Sequence, residues 1–195
     1  MNQNARKFPE QTTVEEFLEL PGPERCELVD GVITSREPNR PVHGRLQVRL
    51  AALLCTHLKE QGHNWSCVLN TAIQPHARAD FNIRCADLAV TRAPIRLDDK
   101  LLRDPVLLVE ILSPSNSKDT SSNVIAYTSF PSVMEVLIVD STSRAIEHLY
   151  RNPDGTWPEN PAPVGEADTF TLSSIGLSLT MAEVYAGTSL DAGAA

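Results

Sequence analysis

Asp104-Pro105-Val106-Leu107-Leu108-Val109-Glu110-Ile111-Leu112-Ser113-Pro114 is apolar at every position from Val106 to Leu112 except one. A run without alternation is the pattern of a strand covered on both faces, so Glu110 falls where a carboxylate has little water. The earlier segment Ile83-Arg84-Cys85-Ala86-Asp87-Leu88-Ala89-Val90 sets Asp87 at the start of a second apolar run. An ionised carboxyl in a dry site costs several kcal/mol unless something compensates it. A core arginine beside Glu110, or backbone donors around Asp87 at a strand entry, would each suffice, and singly each acid reads that way more often. Together, with Ser113-Pro114-Ser115-Asn116 directly after Glu110, they read as a site at strand ends beside a loop. Two carboxylates on neighbouring strands make an oxygen-rich place suited to magnesium or manganese.

Working outward, residues 65–73, 81–90 and 106–112 are strand candidates, and residues 133–139 form another run apolar on both faces. Before them, Leu46, Leu50, Leu53, Leu54 and Leu58 recur at helical spacing between Val42 and Gly62. Arg45 and Arg49 lie off that stripe, whereas His43 lies on it and is expected to point inward. Residues 117–127 read as a second helix, with Val124 and Tyr127 at i,i+3. The order from 42 to 139 is therefore helix, three strands, helix, strand, a mixed α/β core rather than a doubly wound one. Ahead of it, Thr13 and Glu16 form a capping box for a short helix, and Asp30-Gly31 marks a tight turn between two short strands. Residues 144–151 run to the turn signal Asn152-Pro153-Asp154-Gly155 and read as a hairpin at the sheet edge. Residues 156–167 read as an irregular surface loop, 180–185 as a last short helix, and 186–195 as a frayed end.

A chain of 195 residues with 42% hydrophobic and 22% charged residues is expected to be a single globular domain, with its core over about 13–151 and a C-terminal extension over 152–195. No apolar stretch approaches the roughly 20 residues of a membrane span. The N-terminus lacks an apolar leader, so the expected compartment is the cytoplasm. Cys26, Cys55, Cys67 and Cys85 form no Cys-x-x-Cys pair and read as reduced packing residues. Net charge is −8, which argues against a general nucleic-acid binder. The charge is uneven, however: residues 1–103 carry 14 Lys+Arg against 13 Asp+Glu, and residues 104–195 carry 3 against 12. A phosphate-facing surface would come from the first half, where Arg36, Arg40, Arg45, Arg49, Arg78 and Arg84 lie.

Acid on one strand, acid on the next and then a helix is the layout of the PD-(D/E)XK nucleases. The segments Glu27-Leu28-Val29-Asp30-Gly31 and Glu110-Ile111-Leu112-Ser113-Pro114-Ser115, with His43, Ala86-Asp87-Leu88, Asp119, Tyr127 and Val133 to Asp140 in the same order, resemble the Uma-type restriction-endonuclease family. The resemblance runs from about Thr13 to Arg151. It implies a restriction-endonuclease-like mixed sheet flanked by helices, with the N-terminal helix and hairpin as an extension. It also implies a metal-dependent phosphodiesterase acting on DNA. Asp87 and Glu110 would hold Mg2+ or Mn2+, the Ile111 carbonyl would complete the ligand set, and Glu27 would add a further acid.

Such sites usually include a lysine that stabilises charge on the phosphate and water. Here the position two after Glu110 is Leu112. In the family the lysine is moved onto the following helix, where this chain has Asn123, a donor without charge. Lys118 is the nearest lysine, and a lysine placed at 123 is expected to restore the charge. His43 and Arg45 are the candidate substrate contacts, although His43 reads equally as a core histidine and Tyr127 more readily as core than as chemistry. No Ser-His-Asp constellation and no phosphate-cradling glycine loop is present. The leading expectation is a Mg2+-dependent endonuclease on DNA, working as a homodimer. The alternatives are a catalytically silent member of the fold that binds nucleic acid or protein, and a hydrolase of a small phosphorylated substrate.

Overall fold

The computed structural model describes residues 11–22, 26–36, 38–113 and 117–191, with the side chains of 117–119 outside that description. Helix α1 (Val14–Leu18) carries the expected capping box, with Thr13 Oγ1 accepting from the Glu16 amide and Glu16 reaching back to the Thr13 amide. Strands β1 (Cys26–Val29) and β2 (Val32–Ser35) form an antiparallel hairpin. At its turn Asp30 and Gly31 adopt φ of 51° and 84°, the left-handed geometry that an Asp-Gly pair tolerates. Helix α2 (Pro41–Glu60) buries Leu46, Leu50, Leu54 and Leu58 on one stripe, as their spacing requires.

The main sheet has six strands in the order β3-β4-β5-β6-β7-β8. Strands β3 (Ser66–Ile73), β4 (Arg84–Thr91) and β5 (Pro105–Leu112) run antiparallel, and β6 (Glu135–Asp140) joins β5 in parallel after helix α3 (Ser117–Tyr127). Strand β7 (Ile146–Tyr150) returns from β6 as a hairpin. It is not the sheet edge expected from its sequence, because β8 (Ala162–Pro163) pairs with Glu147 and His148 inside the stretch read as irregular.

The sheet is buried on both faces. On one face α2 packs over Leu88, Leu107, Val109 and Leu137; on the other, Val124 and Tyr127 of α3 pack over Ala89, Leu108 and Val136. The first face is completed by a hairpin of β9 (Thr169–Leu172) and β10 (Leu177–Thr180) and by α4 (Met181–Tyr185). That hairpin was absent from the sequence reading, although Phe170, Leu172 and Leu179 alternate with exposed or half-buried neighbours at period two. Two hydrogen bonds fasten its turn to the sheet: the Ser173 amide at 2.6 Å and Ser174 Oγ at 2.8 Å both donate to the buried Glu135 carboxylate. Residues 186–191 are likewise more ordered than a frayed end, since Thr188 is buried and the Gly187 amide donates to Asp191. Residues 192–195 lie outside the described part.

Cys55 of α2 and Cys67 of β3 lie side by side despite their separation in sequence. Burial, reinforced by the neighbouring thiol, pushes Cys67 up to about 12, so it stays a protonated packing group. Among the described residues no helix is long and apolar enough to cross a membrane.

Candidate functional site

Strands β4 and β5 pair from Thr91–Pro105 to Leu88–Val109, and their ladder ends there. Asp87 and Glu110 are the next residue on each strand, so they stand at the mouth of a fork. At a fork, backbone donors lose their ladder partners and must find others. Asp87 supplies one: its Oδ2 accepts from the Ile111 amide at 2.8 Å. Glu27 supplies another from outside the sheet, its Oε1 accepting from the Cys85 amide at 2.9 Å. The β1–β2 hairpin carries Glu27 there through a two-way bridge between Leu28 and Ile83, 2.9 Å in each direction.

The other side of β4 is also interrupted at this point. Leu69 pairs with Leu88 and Thr71 with Ala86, leaving Asn70 out of the ladder opposite Asp87 with a left-handed φ of 46°. Gln47 of α2 repairs the gap, its Nε2 donating to the Asp87 carbonyl at 2.7 Å and to Asn70 Oδ1 at 3.0 Å. A non-glycine residue in this conformation carries strain of order 1 kcal/mol, and such strain clusters at functional sites.

Both helices reach the acids. His43 Nε2 lies 3.0 Å from Asp87 Oδ2, and the ring is buried, with Nδ1 meeting no partner among the described residues. From the opposite face Tyr127 Oη donates a short hydrogen bond to Glu110 Oε1. One helical turn earlier, Asn123 Nδ2 donates to Glu27 Oε1 at 3.3 Å. The inward reading of His43 agrees with its place, and Tyr127, read as core, is both core and donor. Arg45 is not brought to the acids. It is exposed on α2 and donates to the Gly187 carbonyl. The side chain of Lys118 lies outside the described residues.

Two cations act on the cluster: Arg84, buried, is felt by Glu27, and Arg36 reaches Asp87. Arg36, just after β2, places Nη1 2.8 Å from Cys85 Sγ and Nη2 3.4 Å from Asp87 Oδ1, with about a quarter of its side chain exposed. Burial weakens its charge, but Cys85, Asp87, Glu27 and Glu110 together outweigh that and hold the guanidinium above its ordinary value. Glu110 is pushed well above the usual carboxylate range, first by burial and next by the Asp87 charge; the Tyr127 hydrogen bond works the other way. Glu27 is raised too, chiefly by burial. The Tyr127 phenol is driven well up by burial and by Glu110, and so remains a donor.

Among the described residues no group of three or more His, Cys, Asp or Glu side chains is gathered tightly enough to hold a metal ion unaided. The donor chemistry nevertheless fits a hard divalent cation. Three carboxylates outnumber the two guanidiniums that act on them, Arg36 and Arg84, and the oxygens available are those magnesium and manganese prefer. Asp87 and Glu110 would hold the ion, with Glu27 beside them and the Ile111 backbone within the same turn of strand.

A family model described as "Putative restriction endonuclease" (Uma2) matches residues 14–182. "Uncharacterized protein slr1290" of Synechocystis sp. is 31% identical over 167 residues, spanning 84% of this chain and 85% of that protein. Among solved structures, a "putative nuclease belonging to DUF820" from Anabaena variabilis superposes with a TM-score of 0.73, covering 89% of this chain and 97% of its own. At 17% identity that likeness is one of fold alone.

Proposed function

Because this chain belongs to the Uma2 restriction-endonuclease family, we propose that it is a divalent-metal-dependent phosphodiesterase that cuts DNA. The observation that carries this reading is the surplus of buried negative charge at the β4–β5 fork, where Glu110 and Glu27 are both pushed toward their neutral forms. A protein without use for a cation gains nothing from such a cluster. Bound at Asp87 and Glu110, a Mg2+ or Mn2+ ion would activate a water and withdraw charge from the phosphate. The chain's own residues then have positional tasks. His43 and the Ile111 amide hold Asp87 from two directions, Tyr127 fixes Glu110, and Asn123 turns Glu27 toward the cluster. His43 therefore supports a ligand rather than touching substrate.

Calorimetric titration with Mn2+ and cleavage of supercoiled plasmid test this directly. Wild type is expected to bind one ion and to nick DNA in Mn2+, and Glu110→Ala to do neither. One observation favours a second reading: Asn123 places a neutral amide where the family's lysine is expected, as a catalytically silent nucleic-acid-binding member would have it. Metal and duplex binding without any cleavage would select it. A two-fold pair suits a duplex with two strands to cut, although β8 shields part of the β7 edge from which pairing was expected. Light scattering at micromolar protein is expected to give the dimer mass, and a monomer mass rejects the pair.

A further inference from the structure

Proposed catalysis at this fork calls for a positive charge for the phosphate, and Asn123, where the family's lysine is expected, is neutral and buried against Glu27. Among the described residues Arg36 is the partly exposed cation at the acid cluster, close to Asp87 and felt by Glu27 and Glu110, whereas Arg84, which acts on Glu27, is nearly fully buried. Its position relative to solvent matters as much as its charge. The three carboxylates are nearly fully buried, whereas about a quarter of the Arg36 side chain is open. A phosphate arriving from solvent thus meets the guanidinium before it meets the acids.

We propose that Arg36 is the phosphate-contacting cation of this site, supplying from the end of the β1–β2 hairpin the charge that Asn123 does not provide. The inference rests on the nuclease reading. The guanidinium presents several N–H donors in one plane, a geometry that matches phosphate oxygens and serves better there than an ammonium point charge. Its hold on Asp87 is a single long contact of 3.4 Å. A divalent ion on the same carboxylate would repel the guanidinium and release it toward the substrate. Without metal, Arg36 offsets part of the carboxylate charge; with metal, that duty passes to the ion.

Three readouts decide the matter, and two do not need turnover. First, in Ca2+, which holds duplex without supporting cleavage, Arg36→Gln should weaken binding of a short fluorescent DNA duplex about tenfold and reduce the salt dependence by about one phosphate contact. Second, Mn2+ affinity measured calorimetrically should stay equal or rise in Arg36→Gln, because a competing positive charge has gone. Third, plasmid cleavage in Mn2+ should fall about a hundredfold in Arg36→Gln and stay within about tenfold of wild type in Arg36→Lys, the charge-retaining reference.

Equal duplex binding and cleavage in Arg36→Gln would overturn the proposal and leave the nuclease reading standing. Loss of Mn2+ affinity together with cleavage would also overturn it, making Arg36 a support for the acids. If wild type binds neither Mn2+ nor duplex, the nuclease reading falls first and this inference falls with it.

Discussion

Glu110→Gln is expected to melt higher than wild type in the absence of metal while losing DNA cleavage altogether. The substitution keeps the shape and an acceptor for Tyr127 Oη but removes a charge that burial and Asp87 both oppose. Buried ions replaced by neutral groups can gain stability on the order of 1–4 kcal/mol when the ion pair itself is removed, and about 2 kcal/mol taken for this single charge corresponds to roughly 6 °C in a domain of this size. The gain must depend on pH with a definite sign. A carboxyl whose folded-state pKa lies above its unfolded value contributes stability fully at pH below the unfolded value, and loses it as pH rises through the folded one. Metal-free wild type should therefore weaken as pH climbs above the ordinary Glu value of 4.5. Its melting temperature should fall away from that of Glu110→Gln over that range. Thermal melts in EDTA at several pH values give the comparison, and parallel curves for the two proteins would refute the account.

Asp87→Ala should do the opposite. Asp87 is as buried as Glu110, but it is fully engaged: the Ile111 amide, His43 and Arg36 all converge on its two oxygens. Removing it takes the carboxylate acceptor from the Ile111 amide at the strand fork and the ion-pair partner from a half-buried guanidinium. It also leaves an imidazole whose other nitrogen has no partner among the described residues. Breaking a buried pair from one side costs about 3–5 kcal/mol, enough to lower the melting temperature by roughly 10 °C. Urea unfolding in EDTA measures it, and a variant as stable as wild type would mean that Asp87 is merely a second repelled acid. The contrast between the two variants separates an acid kept for its fold contacts from one kept at the fold's expense.

The fold and the two strand acids were legible because each is written in local pattern. Glu110 breaks a continuous apolar run, and the leucines of α2 repeat at helical period, so burial could be inferred position by position. Arg36 was not legible in the same way. It sits in a loop with no periodicity, and only the docking of Leu28 on Ile83 brings it to residues about fifty positions away. Tyr127 shows a different limit, since helical spacing marks a residue as inward-facing without saying whether its hydroxyl has a partner there. Arg45, expected as a substrate contact, lies off the inward stripe that holds His43, and its guanidinium is taken by the Gly187 carbonyl instead. The β9–β10 hairpin has strands of four residues, as short as β1 and β2, but its turn Ser173-Ser174-Ile175-Gly176 carries no Asp-Gly or Asn-Gly pair to mark it.

The placement of β9, β10 and α4 has a consequence for the order in which this protein can be made. Every side chain assigned to the fork lies between Glu27 and Tyr127, so all of them have left the ribosome while the last third of the chain is still being synthesised. The α2 face of the sheet, however, is finished by Phe170, Leu172, Leu179, Met181 and Val184. Until those residues emerge, the nascent chain holds a complete set of reactive groups over an apolar surface with no cover, the state in which chaperone capture and aggregation compete with folding. A ribosome that stalls before residue 169 would release a polypeptide with all the chemistry and too little of the structure.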